Sequence, residues 1–207
     1  MGFTLNIYFI DIVFITVYAI ITLIRSYPLY LSYENGGIDV KKPVRIIVIS
    51  DSHGDYTALE SVIERNLGKA DIFIHLGDGE RDSDRICLKY PHIDFRRVAG
   101  NCDYASMLPD SLVVDVDGAR IFCAHGHRHF VKGGTETIRS VARDNDCNIV
   151  LFGHTHERYS ATEDGMYVMN PGSCASPRDG QPPSFGSIEI REEGILTNIA
   201  NVYERRF

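Results

Sequence analysis

The sequence has no basic excess. Its 28 acidic residues outnumber 21 lysines and arginines, giving a net charge of −7 at pH 7. A surface built to hold long nucleic acid needs a basic stripe, so that partner is not expected. A small phosphate ester stays compatible, because bound cations can reverse the local field. There is also no C-x-x-C pair. The five cysteines, Cys87, Cys102, Cys123, Cys147 and Cys174, are odd in number and widely spread. That excludes a disulfide framework or zinc knuckle and points to reduced thiols in a cytoplasmic protein. Repeats and low-complexity segments are absent. Hydrophobic residues make up 44% and charged residues 24% of the 207, which suits one sizeable globular domain with an appendage.

Charge is missing altogether from Ile12 to Ile24, between Asp11 and Arg25. The wider window Phe3–Ile24 approaches the ~20 apolar residues that span a bilayer, although Asn6 and Asp11 lie inside it. No positive charge precedes the run, so a secretory signal fits poorly. Asn6 stands where myristoylation wants Ser or Thr. Two readings stay open. In one, residues 1–31 are a membrane anchor, and Arg25, Lys41 and Lys42 after it keep the rest of the chain in the cytoplasm. In the other, the start is assigned too far upstream. Gly36-Gly37 can be encoded by GGAGG, the core of a ribosome-binding site, and Val40 by a GTG start codon. Codons other than GGA-GGN for that glycine pair would remove the second reading. Without residues 1–39, which carry Arg25, Asp11, Glu34 and Asp39, the net charge is still −5.

What is present is organised around Val44–Asp55. Ile46–Ile49 is a short β-branched run suited to a strand buried on both faces. It stops at Ser50, and Asp51 and His53 follow in a polar turn. A carboxylate and an imidazole two residues apart can grip one cation.

The same pattern recurs along the chain. Helical spacing covers Tyr56–Leu67, stopped by Gly68. A strand at Asp71–Leu76 ends in Gly77-Asp78-Gly79. A helix is expected at Ser83–Tyr90, and a strand at Asp94–Ala99 ends in Gly100-Asn101-Cys102-Asp103. A hairpin joins Leu112–Asp117 to Ala119–Ala124 through Asp117-Gly118, and His125-Gly126-His127-Arg128-His129 follows. After a helix at Thr135–Arg143, the strand Asn148–Phe152 ends in Gly153-His154-Thr155-His156. Strands at Arg158–Thr162 and Met166–Met169 flank Asp164-Gly165, and Asn170–Arg178 reads as a loop. A last hairpin, Ser187–Arg191 with Ile195–Tyr203, turns at Glu193-Gly194. Alternating strands and helices followed by mostly antiparallel strands predict sheets packed together with helices outside.

Five strand exits thus carry Asp51 and His53, Asp78, Asn101, His125, and His154 and His156. In open α/β sheets, ligands gather beyond the carboxyl ends of strands. Seven donors exceed one four-coordinate ion and suit two ions sharing a carboxylate. Glycines beside them allow sharp turns.

Asp51-Ser-His53, Gly77-Asp78, Gly100-Asn101-Cys-Asp103, His125-Gly-His127 and Gly153-His154-Thr-His156 resemble the signature blocks of the calcineurin-like metallophosphoesterases. The Asn170-Pro-Gly-Ser173 loop and the small size resemble the compact bacterial and archaeal phosphodiesterase branch, typified by YfcE. The resemblance covers roughly Arg45–Tyr203. It implies a four-layer α/β/β/α sandwich of two packed mixed sheets over residues 44–207, with residues 1–43 as a hydrophobic extension. It implies one cation on Asp51, His53, Asp78 and His156 and a second on Asp78, Asn101, His125 and His154, with Asp78 bridging. Cys102 departs from the pattern. Many members carry His there as proton donor, whereas a thiol donates poorly at neutral pH and reads as a small buried residue.

That leaves His127 and His129 as candidate proton donors. Asp103 is placed with the catalytic residues, acting by orienting a neighbouring ligand. Arg178 is a candidate to hold a phosphate oxygen, with His127 and Cys102 beside the substrate.

Two cations about 3.5–4 Å apart would acidify a bridging water and neutralise transition-state charge. The expected reaction is hydrolysis of a small phosphodiester by a metal-bridging hydroxide. The alternatives are a phosphomonoesterase or pyrophosphatase on the same site, or a non-catalytic scaffold of the same fold. The filled ligand positions speak against the scaffold. Mixed N/O ligation suits Mn²⁺, Fe²⁺, Zn²⁺ or Ni²⁺ better than Mg²⁺, and Mn²⁺ is favoured from the resemblance. A homodimer is a further expectation.

Overall fold

A computed structural model describes residues 30–34 and 37–203. The apolar run at 12–24, and with it the choice between anchor and misassigned start, lies outside the described residues. Among those described, no helix is long and apolar enough to cross a membrane. The chain divides into two compact units, Met1–Pro43 and Val44–Phe207. In the first, β1 (Tyr30–Glu34) pairs antiparallel with β2 (Gly37–Lys41), a hairpin not anticipated from the sequence.

The second unit holds two five-stranded mixed sheets. One contains β3 (Val44–Ile49), β4 (Ile72–His75), β5 (Phe95–Arg97), β11 (Ser184–Arg191) and β12 (Gly194–Asn201), in the order β12-β11-β3-β4-β5. The other contains β6 (Ser111–Val116), β7 (Ala119–Ala124), β8 (Ile149–Leu151), β9 (Arg158–Glu163) and β10 (Met166–Pro171), in the order β6-β7-β8-β10-β9. In each sheet the central strands run parallel, β3-β4-β5 in one and β7-β8-β10 in the other.

Alternation along these strands sets the layers. Ile46 and Val48 point inward with Ile74, Ile121, Ile149 and Leu151, forming a core between the sheets. Ile47 and Ile49 point outward onto Leu59, Val62 and Ile63 of α1 (Tyr56–Asn66) and Ile86 of α2 (Glu80–Lys89). Across the molecule, Phe122, Val150 and Phe152 meet Ile138 and Ala142 of α3 (Glu136–Asp144). This is the four-layer sandwich expected from the resemblance. Each fully buried isoleucine contributes about 1.5–3 kcal/mol.

Asp117-Gly118 and Asp164-Gly165 make the hairpin turns, with φ of 47° and 80° in one and 49° and 76° in the other. Paired positive φ is the turn whose twist matches the flanking strands. Several boundaries need correction. Strand β11 starts at Ser184, ahead of the predicted Ser187, and β5 is the shorter Phe95–Arg97. Helix α2 starts at Glu80, ahead of the predicted Ser83, because its charged first turn carries no apolar spacing. Strand β10 runs on to Pro171, through residues assigned to a loop. The last turn is Glu192-Glu193, with Gly194 already paired to Arg191.

Candidate metal centre

The parallel strands end where the two sheets meet. Asp51 N–H donates to Gly77 O at 3.1 Å and His53 N–H to Asp78 O at 3.0 Å, so the exits of β3 and β4 are stitched together. Gly153 N–H donates to His125 O at 3.0 Å, joining the exits of β7 and β8. His154 N–H donates to Asp51 Oδ2 at 3.1 Å and joins the pairs. Close approach is required here. A Cβ on Gly153 would stand 1.9 Å from Ser50 Oγ, and one on Gly100 would stand 2.1 Å from Asp78 Oδ1.

All seven predicted donors gather at this seam. Asp51 Oδ1 lies 3.3 Å from His156 Nε2, 3.8 Å from His53 Nε2 and 4.0 Å from His125 Nε2. Asp78 Oδ2 lies 3.4 Å from His125 Nε2 and 3.6 Å from His53 Nε2. The Nε2 atoms of His53 and His156 face each other at 3.0 Å, and Asn101 Oδ1 stands 3.1 Å from His125 Nε2. The His154 ring centroid is 5.1 Å from that of His125. Five of the seven hold left-handed backbone: Asp51, His53, Asp78, His154 and His156, with φ between 44° and 70°. Such strain costs about 1–3 kcal/mol per residue and collects at functional sites.

The donors are aimed from behind. His125 Nδ1 sits 2.7 Å from Leu76 O and His156 Nδ1 2.7 Å from Ser176 O. A proton on each Nδ1 leaves the Nε2 lone pair free toward the centre. Asp78 Oδ1 accepts from Cys102 N–H at 2.7 Å, and Asp51 Oδ2 accepts from Ser50 Oγ at 2.6 Å.

These residues fit divalent cations. Asp51 Oδ1 is buried with no hydrogen-bond partner, which a protein interior rarely tolerates. Asp51, His53 and His156, and likewise Asp51, Asp78 and His125, offer donor atoms within 4.8 Å of one another. Titration tells the same story. Burial opposes charge on Asp51 and Asp78, yet contacts with His156 and His125 outweigh it and both carboxyls fall below their usual range. His156 is raised, first by the Asp51 carboxylate that faces its Nε2 at 3.3 Å. His125 is raised because Asp78 and Asp51 overcome burial. Protons take the place that positive charge is built to fill. His154 is pushed down to about 4 by burial, then by His125 and Lys132, so its lone pair is free at neutral pH.

The other predicted residues fare unequally. Asp103 accepts backbone N–H bonds from Asp78, Gly79, Glu80 and Gly100 at 2.8–2.9 Å. Both its oxygens are committed, so it positions the Asp78 turn and holds the first residues of α2. Cys102 is exposed beside His53 and Asp78, contrary to its reading as a small buried residue. Partial desolvation of its sulfur, then the neighbouring Asp78, push its thiol up to about 11. His127 stands 5.4 Å from His125 and 6.1 Å from His154, ring to ring. His129 instead packs edge-on against Phe122, 5.7 Å away, off the donor cluster. Arg178 is exposed, and its N–H donates to His156 O at 3.0 Å.

Some supporting residues escaped the sequence reading. Asp82 of α2 accepts from Ser52 Oγ at 2.8 Å and Gly54 N–H at 2.9 Å, holding the His53 turn. Asn170 Nδ2 donates to Gly153 O and to Thr155 Oγ1 at 2.9 Å, and Ser173 Oγ donates to Asp51 O at 2.7 Å. Nothing in their local spacing signals this. Lys132 had one usable cue, a basic residue seven positions beyond His125.

Residues 44–193 match the Calcineurin-like phosphoesterase superfamily domain, and the chain belongs to that superfamily of metal-dependent phosphoesterases. A probable metallophosphoesterase of Bacillus subtilis, YsnB, is 28% identical over 72% of this chain and 86% of its own length. Phosphodiesterase YfcE of Escherichia coli is 25% identical over 76% of this chain and 98% of its own. A conserved protein of Streptococcus pneumoniae, described as a predicted phosphoesterase, has a crystal structure that superposes with TM-score 0.70. It is 29% identical, covering 78% of this chain and 91% of that one.

Proposed function

We propose that the chain hydrolyses a small phosphodiester at a dinuclear site, with Mn²⁺ as the favoured ion. The observation that carries this is the convergence of two carboxylates and the ring nitrogens around the unpartnered Asp51 Oδ1. Asp51, His53, Asp78 and His156 would hold one cation. Asp78, Asn101, His125 and His154 would hold the other. Bound there, divalent cations supply an acidified water and neutralise charge on the phosphoryl oxygens.

The chain's own residues complete the site. Asp103 fixes the turn that aims Asp78. The Leu76 and Ser176 carbonyls fix the rings of His125 and His156. Burial, then His125, holds His127 below the usual histidine range, so it is neutral at pH 7. Its Nδ1 is buried without a partner. An unpaired N–H is costly to bury, so the proton sits on Nε2. His127 donates that N–H to an oxygen of the phosphoryl or leaving group. Cys102 keeps its proton and is no nucleophile.

The test is chelated protein assayed on phosphodiesters, monoesters and nucleotides with Mn²⁺ restored. Turnover of bis(p-nitrophenyl) phosphate should return with Mn²⁺. His154→Ala and Asn101→Ala should each lower it by about 10²-fold or more. Near-normal metal-dependent turnover in both variants would remove the assignment, and a monoester preferred over every diester would shift it to phosphomonoesterase.

A further inference from the structure

The donor cluster is flanked by clefts of opposite charge. One, about 500 Å³, runs from His53 and Asp78 past Glu80, Asp82 and Asp84, with Arg81 its single cation. The other, about 650 Å³, is lined by Lys132, Arg158 and Arg178 against Glu157. Lys132 also lines a smaller cleft with His127 and His154, which makes the basic wall continuous with the centre.

Lys132 and Arg178 differ from Arg158, which is spent on Pro182 O and on Asn201 Oδ1. Among the described residues, neither Lys132 nor Arg178 makes an ion pair, in a chain of net charge −7. Both sit on segments that carry the site. Lys132 lies in the short helical turn Val131–Gly133 beyond His127–His129. Arg178 N–H is bonded to His156 O, and Asp179 anchors the same loop by accepting from Arg158 N–H at 3.1 Å and Gln181 N–H at 3.0 Å. The backbone under Arg178 is therefore fixed while its guanidinium is open.

We infer that the substrate carries a second phosphate, apart from the scissile diester, and that Lys132 and Arg178 hold it in the basic cleft. A guanidinium and an ammonium lining one cleft suit a phosphate group's several oxygens. The acidic cleft on the far side repels anions, so the leaving alcohol is uncharged or cationic. The charged wall thus fixes which P–O bond faces the centre. This inference rests on the phosphodiesterase reading.

Two esters with the same scissile bond test it: the p-nitrophenyl ester of thymidine 5′-phosphate, and the same ester carrying a 3′-phosphate. With Mn²⁺ restored at low salt, kcat/KM should favour the 3′-phosphorylated ester by about 10- to 100-fold, through KM, and the preference should shrink with added salt. In the double variant Lys132→Ala/Arg178→Ala the ratio should fall to about one, while Lys132→Arg/Arg178→Lys should keep part of it. Equal turnover of both esters by the unmodified protein overturns the inference, as does a preference that survives in the double alanine variant. Calorimetric binding provides a readout independent of turnover. Thymidine 3′,5′-bisphosphate should bind tighter than thymidine 5′-phosphate, and only while Lys132 and Arg178 are present. If neither ester turns over but that binding difference holds, the phosphodiesterase reading fails and the anion site stands. If the binding difference is absent, the site falls.

Discussion

The two sheets bring different chemistry to the seam. The exits of β3, β4 and β5 deliver the oxygen donors Asp51, Asp78 and Asn101, with His53 as their one imidazole. The exits of β7 and β8 deliver only imidazoles: His125, His154 and His156. Each side is oriented by the other. Leu76 O, from the first sheet, steers His125 of the second, and His154 N–H, from the second, steers Asp51 of the first. Neither sheet holds a finished half-site. The centre exists only when the shared apolar core of Ile46, Ile74, Ile121 and Ile149 is packed, so folding and site assembly are one event.

Removing charge from the oxygen side should break this most severely. Asp78→Asn keeps shape and loses the carboxylate that faces both His53 and His125. Turnover should fall at least about 10³-fold, equivalent to about 4 kcal/mol, with less metal retained on dialysis. Activity within tenfold of the unmodified protein would show that Asp51 alone suffices.

A pH experiment probes the strand end of the first sheet. His75 lies at the end of β4 with its Nε2 buried and unpartnered, and burial pushes its pKa down to about 4. The unfolded chain takes up a proton on this residue near pH 6.5, and the folded chain only near 4. The stability it contributes is therefore whole above about 6.5 and lost as pH falls to 4, at about 3 kcal/mol. Urea unfolding of chelated protein at pH 7 and 4.5 should show that loss, to which His154, also held down to about 4, adds, and His75→Gln should remove its own share. An unchanged slope in the variant would put the acid sensitivity elsewhere.

Asp103 tests how far the oxygen side depends on its scaffold. Asp103→Asn replaces an oxygen acceptor by an amide and strands at least one backbone N–H, a cost of about 1–3 kcal/mol. Turnover should drop about 10-fold or more, because the Asp78 turn loosens, while the imidazoles of the second sheet stay in place. Equal thermal stability and turnover would reduce Asp103 to an incidental acceptor.

How much of this was legible depended on whether a residue announces itself by spacing. The strand exits did, because a β-branched run stopped by Gly-Asp or Gly-His repeats in one chain, and the sandwich followed from alternation in strands such as β3. Asp103 is expected from the sequence to orient a neighbouring ligand, but its four N–H partners could not be read, because they come from residues 78–80 and 100, a cluster formed only in the fold. Helix α2 lost its first turn because Glu80, Arg81 and Asp82 offer no apolar spacing, Asp82 being buried onto the polar Ser52–Gly54 turn. Cys102 reads as buried by residue type but lies exposed in the loop after β5. The left-handed backbone at five donors runs against local propensity. It shows tertiary packing overriding the preference of Asp and His for ordinary φ.

His127 and His129 give the finest discrimination. Both follow β7, and both have a buried Nδ1 without a partner; burial lowers both. Sequence offered both as proton donors and placed only His127 beside the substrate. They part by what the ring faces: His127 looks onto His125 and His154, and His129 onto Phe122. His127→Ala should therefore lower kcat about 10-fold or more, and His127→Gln, which restores an N–H donor, should recover part of it. His129→Gln should change turnover less than about twofold and register in stability, since it removes a half-buried ring packed edge-on against Phe122. Equal losses at the two positions would mean that the turn after β7 acts as a unit, and that ring direction does not separate a substrate contact from a packing residue.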